Sequence, residues 1–111
     1  MDRRRAERFE IISAVLASLT IVAPEISTTY AVELLEIGSN GALVAARESL
    51  EAGQEGRFSA SLSAIPFSAR VELVRVEPAT LADGRGRYVM ALSFRGMAAR
   101  DLTALKRFLG V

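Results

Sequence analysis

Apolar and polar residues alternate along most of this chain, which is the pattern of half-buried β-strands. The strands predicted in this way are residues 15–22, 28–37, 42–46, 54–63, 69–76 and 87–95. The alternative prediction for the first stretch is a helix, because that stretch contains alanine, a strong helix former. Five or six short strands separated by turns are typical of a small antiparallel barrel, so we expect a mainly β fold.

Glycine-containing turns punctuate these stretches. Residues 38–41 form one tight turn, residues 53–56 form a second, and Asp83-Gly84 is a hairpin signal. Glycine supplies the positive φ that such turns require.

Residues 69–76 show how the alternation assigns side chains to the two faces of a strand. Val71 and Leu73 share one face, and continued alternation would place Arg75 with them. Val74 falls on the opposite face.

The hydrophobic period changes to three or four near the end of the chain. Leu102, Leu105, Phe108 and Leu109 form the stripe of an amphipathic helix, and Gly110 stands where a helix C-cap belongs. The stripe needs a surface to bury it, either the open mouth of the barrel or a partner subunit. The second of these surfaces would make the protein a homodimer. The expected organisation is one domain with an arm at 1–10, a barrel at 11–96 and the helix at 97–110.

The amino-acid composition excludes several kinds of catalytic and metal-binding site. The 111 residues include no Cys and no His, and 14 basic against 13 acidic residues leave a net charge of +1. A thiolate nucleophile, an imidazole zinc site and a Ser-His-Asp triad are thus excluded. The charge is too small for bulk electrostatic binding of a nucleic acid polymer. We expect a protein that is not an enzyme, with no metal site and no cofactor.

The N-terminus has a basic start followed by an apolar stretch, as a secretory signal does. Asp2, Glu7 and Glu10 interrupt the basic part, and the uncharged run 11–24 is shorter than the roughly 20 residues of a spanning helix. We expect a cytoplasmic protein without membrane insertion.

The first candidate binding element is the arginine arm, formed by Arg3, Arg4, Arg5 and Arg8. A planar guanidinium can pair with a phosphodiester or with the O6 and N7 edge of guanine. A charged run at a terminus is also typical of a solvated tail, so the arm alone does not decide between the two.

The second candidate is the turn that contains Glu36, Gly38, Ser39, Asn40 and Gly41. Exposed backbone N–H groups beside a carboxylate suit the amide and amine edge of a purine. A plain turn between strands would use the same residues.

The order of these elements, an arginine arm about 28 residues before an acid-plus-glycine turn that opens a strand, resembles the PilZ domain family. The family's Arg-x-x-x-Arg motif is matched by Arg4 and Arg8. Its Asp/Asn-x-Ser-x-x-Gly motif aligns with Glu36, Gly38 and Gly41. The resemblance covers essentially the whole chain and implies a six-stranded antiparallel split barrel with a C-terminal helix.

The resemblance also implies a function, which is binding of the bacterial second messenger cyclic di-GMP and signalling to an effector protein. Glu36 is one methylene longer than the family's residue, and Gly38 lacks the serine hydroxyl. Losing one neutral hydrogen bond costs on the order of 1 kcal/mol, close to tenfold in affinity, so we expect weakened binding. The alternative is a degenerate family member that no longer binds the nucleotide and serves as a protein-interaction adaptor in pilus assembly or motility.

Overall fold

A computed structural model describes residues 9–22 and 27–110 of the chain. In these residues the elements are six strands and one helix. They are β1 (Phe9–Ile21), β2 (Thr28–Ile37), β3 (Gly41–Ala46), β4 (Glu55–Leu62), β5 (Ile65–Thr80), β6 (Gly86–Gly96) and α1 (Ala99–Leu109). The first predicted stretch is therefore a strand and not a helix.

The six strands form a closed barrel in the order β1-β2-β3-β6-β5-β4. Every neighbouring pair is antiparallel, and β4 closes the barrel by pairing with β1. Closure removes the free edges that an open sheet would expose. The expected mainly β barrel with a C-terminal helix is confirmed.

The core lies inside the barrel and is built from one face of each strand, as the alternation requires. Phe58 of β4 and Phe67 of β5 are almost fully buried and meet edge to face, with ring centroids 6.4 Å apart. Phe94 of β6 packs on Phe67 in the same way, at 5.6 Å. The other large, fully buried side chains are Leu19, Leu34, Ile37, Val44, Leu62, Val71, Leu73, Met90 and Leu105.

The helix α1 packs against β5 and β4, and Leu105 and Leu109 join the barrel core. The assignment of Leu102 to the buried stripe is wrong, because this residue is 42% exposed. The buried face instead begins at Asp101, one residue earlier, and continues through Ala104. No helix among the described residues is long and apolar enough to cross a bilayer.

The β4–β5 hairpin departs from the expected boundaries. Its two-residue turn consists of Ser63 and Ala64, with φ values of 51° and 66°, between the paired residues Leu62 and Ile65. Such a turn normally uses Asn and Gly, so the sequence carries no signal for it. As a result β5 begins at Ile65, not at residue 69 as predicted.

Candidate ligand-binding site

The β2–β3 turn is fastened at both ends by backbone hydrogen bonds. The N–H of Gly38 donates to the carbonyl of Gly41 at 2.9 Å, and the carbonyl of Asn40 accepts from the N–H of Phe94 at 2.9 Å. Gly38 is buried, whereas Ser39 and Asn40 are exposed. The turn is thus held against β6 with its tip toward solvent.

Gly41 has a steric reason to be glycine. It pairs with Ser93 across β3 and β6, and a Cβ atom added to it would overlap the backbone carbonyl oxygen of Leu92. A side chain at this position would therefore push the two strands apart. The last glycine of the predicted turn motif permits this close approach.

Beside the turn lies a cleft of about 370 Å³. Its lining comes from the end of β2, the turn, the start of β3 and the adjoining parts of β5 and β6. The lining residues are Glu36, Ile37, Gly38, Ser39, Asn40, Gly41, Ala42, Leu43, Val74, Arg75, Ala91, Leu92 and Ser93. All five residues predicted for the turn are thus brought together at one cleft.

A single cross-strand row runs along the cleft, on the outer face of the barrel. Glu36 pairs with Leu43, Leu43 with Ala91, and Ala91 with Arg75. Neighbouring strands lie about 4.8 Å apart, so the path from Glu36 to Arg75, measured along the curved sheet, is about 14 Å long. An acid and a base therefore stand at opposite ends of a short apolar floor.

Arg75 reaches this row through a β-bulge, which corrects the expected assignment of faces. The β5–β6 register shifts between Leu73 and Arg75, with Val74 as the extra residue. Leu73 stays in the core, Val74 is 49% exposed, and Arg75 is exposed as well. Arg75 thus does not share the face of Val71 and Leu73.

Sequence reasoning missed the residues that β5 and β6 contribute to this cleft, namely Val74, Arg75, Ala91, Leu92 and Ser93. Their strands were predicted, but their place beside the turn depends on the pairing of β3 with β6 and of β6 with β5. No glycine or proline marks the bulge, so alternation was the sole signal available and it failed there.

The predicted arm residues Arg3, Arg4, Arg5 and Arg8 lie outside the described residues. The chain directly after Arg8 is described, because β1 begins at Phe9, within the segment predicted as the arm. Phe9 pairs with Ile37, at the end of β2 that leads into the turn.

A second cleft, of about 760 Å³, lies among β1, β4, β5 and the start of α1. The hydroxyls of Ser59 and Ser68 bond to each other at 3.3 Å, and Arg57 donates to the Ser68 hydroxyl at 2.9 Å. None of the predicted site residues within the described part of the chain lines this cleft. Although it is the larger cleft, we place the candidate site at the first.

Electrostatic shifts occur at the β5–β6 loop. The backbone N–H of Arg85 donates to Asp83, which lowers the pKa of that carboxyl group. The pKa of Arg85 is raised mainly by its side-chain hydrogen bond to Asp83 and next by the one to Glu33. Both side chains are about half exposed, and these contacts hold the loop together. The described residues contain no cluster of acidic side chains suited to a metal ion.

Comparison with known proteins identifies the class. The family model of the PilZ domain matches residues 2–110. Among solved structures, the PilZ domain of YcgR from Escherichia coli with c-di-GMP superposes with a TM-score of 0.74 at 13% identity, covering 98% of this chain and 90% of that one. No match was found among curated proteins.

Two further structures share the fold. The inhibitor of motility MotI/DgrA from Bacillus subtilis gives a TM-score of 0.73 at 17% identity, over 98% of this chain and 50% of that one. The complex of MrkH from K. pneumonia with c-di-GMP gives 0.73 at 15% identity, over 98% and 52%. The chain therefore spans about half the length of these two relatives.

These findings define a small β-barrel domain with a C-terminal helix. The chain belongs to the PilZ domain family.

Proposed function

We propose that this chain is a receptor for cyclic di-GMP that binds the nucleotide weakly and passes the signal to an effector protein. One observation carries the proposal: the turn that aligns with the family's second motif lines a cleft, next to the start of the strand that follows the arginine arm. In this proposal the protein is not an enzyme and acts in the cytoplasm.

Each half of the site has a distinct role. Arg4 and Arg8, together with Arg3 and Arg5, supply guanidinium groups for the phosphodiesters and for a guanine edge. Glu36 accepts hydrogen bonds from the amide and amine edge of the other guanine. Leu43 provides apolar surface beneath a base.

The turn also explains why binding is weak. Gly38 offers no hydroxyl, and its N–H is already donated to Gly41. The exposed side chains of Ser39 and Asn40 stand beside it as substitute polar groups. Because the arm keeps both arginines of the family motif, we expect a dissociation constant in the micromolar range.

The changes at Glu36 and Gly38 favour a second candidate, the adaptor that has lost the nucleotide. The partner of such an adaptor would be a protein. Either function is compatible with a homodimer. The structural relative MotI/DgrA is described as an inhibitor of motility, which is the kind of role such an adaptor would have.

Titration calorimetry with cyclic di-GMP at physiological salt separates the two candidates. We expect micromolar binding by the wild type, and a loss of about tenfold or more in Arg4→Ala and in Arg8→Ala, since a hydrogen bond to a charged group contributes about 1.5–3 kcal/mol. Arg57→Ala is the matched control, because it removes the same charge from β4, outside the cleft. Absence of heat with the folded wild type would overturn the receptor proposal and favour the adaptor.

A further inference from the structure

We propose that Arg75 is an affinity-determining residue of this site, which contacts a phosphodiester of the bound nucleotide from the β5 side of the cleft. This inference rests on the proposed function and adds a residue outside the two sequence motifs. The arm and the turn would hold the nucleotide from the β1 and β2 side, and Arg75 would hold it from the opposite side.

The charges that line the cleft favour such a residue. Among the described lining residues, Glu36 carries the negative charge and Arg75 the positive charge. Cyclic di-GMP brings two negative phosphodiesters, which a positive charge in the wall of the cleft attracts. The guanidinium of Arg75, at the far end of the row, can donate paired N–H groups to phosphate oxygens.

The bulge gives Arg75 its position. In regular alternation the residue two places after Leu73 would point into the core, where Leu73 is fully buried. The extra residue Val74 reverses this, so Arg75 stands in the outward row with Ala91 and Leu43. Bulges commonly redirect a side chain next to a binding site.

Arg75 also has a partner that it can exchange. Its Nε lies 3.3 Å from a carboxylate oxygen of Glu77, and the two side chains are 60% and 63% exposed. Ion pairs at this exposure contribute little to stability. The guanidinium can therefore turn from Glu77 to a phosphate at small cost, and Glu77 acts as a weak competitor of the ligand.

The test compares Arg75→Ala with Arg57→Ala in titrations with cyclic di-GMP. Both variants remove one exposed arginine and leave the same net charge, but Arg57 bonds to Ser68 away from the cleft. We expect the dissociation constant to rise about tenfold in Arg75→Ala and to change less than about twofold in Arg57→Ala. Arg75→Lys should fall between them, because lysine keeps the charge and loses the planar fork.

Two further readouts separate ligand contact from a structural effect. Glu77→Gln should leave affinity unchanged or improve it, whereas loss of affinity in this variant would contradict the competition. The dependence of binding on salt should be shallower in Arg75→Ala than in the wild type. Circular dichroism melting identifies any variant that does not fold, and Arg75→Gln, which keeps a long polar side chain, is the second variant in that case.

The outcomes distinguish this inference from the proposed function. Wild-type binding with equal affinities for Arg75→Ala and Arg57→Ala would overturn the role of Arg75 and leave the receptor function standing. Absence of binding by the wild type would overturn both.

Discussion

The carboxylate of Asp101 accepts a hydrogen bond at 2.9 Å from the backbone N–H of Ser68, 33 residues earlier in the chain. The last pair between β5 and β6 joins Arg70 to Gly96, so the start of β5 extends past the end of β6. Asp101, whose side chain is 8% exposed, supplies the acceptor that a strand would otherwise provide. The first turn of α1 is thus bonded directly to the barrel.

Replacement of Asp101 by alanine should lower the free energy of unfolding by about 1–3 kcal/mol, because it leaves a donor without its partner. Asp101→Asn keeps an oxygen acceptor and should lose less. Urea unfolding followed by circular dichroism measures both. Lys106→Ala is the control, since Lys106 is exposed on the same helix. Equal stability of Asp101→Ala and Lys106→Ala would show that the bond contributes nothing.

The Ser63-Ala64 turn holds two non-glycine residues at positive φ. Replacing them by Asn and Gly should raise the free energy of unfolding by about 1 kcal/mol or more, because residues in the left-handed region cost about 1–3 kcal/mol each unless they are glycine or asparagine. The melting temperature should rise accordingly. Ala82→Gly, in the exposed β5–β6 loop, is the comparison and should bring no gain. A double variant no more stable than the wild type would mean that the turn is not strained.

Local pattern was enough for much of the barrel. β2 occupies 28–37, as predicted, because its alternation is bounded by a clear glycine turn. Gly110, with φ of 79°, caps α1 as the sequence indicated. In both cases the structure is determined by interactions among residues that are close together in the sequence.

The parts that failed depend on long-range pairing. The bulge at Val74 arises from the pairing of β5 with β6, and the sequence near Arg75 contains no signal for it. Leu102 fits a helical stripe as well as Leu105 does, and the direction from which the barrel meets the helix decides between them. The turn at the cleft was predictable from its glycines, whereas the opposite wall was not.

Gly41 should tolerate no side chain. Gly41→Ala is expected to lower the free energy of unfolding by about 1–3 kcal/mol, because the methyl group would overlap the Leu92 carbonyl and overpack the β3–β6 contact. Gly86→Ala is the matched control, since the space around Gly86 is open. Chemical denaturation measures both variants. A Gly41→Ala protein as stable as Gly86→Ala would show that the two strands separate at little cost.

The last prediction concerns restoration of the family motif in the turn. Gly38→Ser with Glu36→Asp should tighten cyclic di-GMP binding about tenfold, because it returns one hydroxyl and the shorter acid to a turn that lines the cleft. Calorimetry gives the affinity. Gly38→Ala with Glu36→Asp is the matched control, since it adds a Cβ without the hydroxyl and should not reproduce the gain. Gly38 is buried, so a melting curve must accompany each titration. A double variant that folds normally but binds no more tightly would mean that this turn does not occupy the position of the family motif.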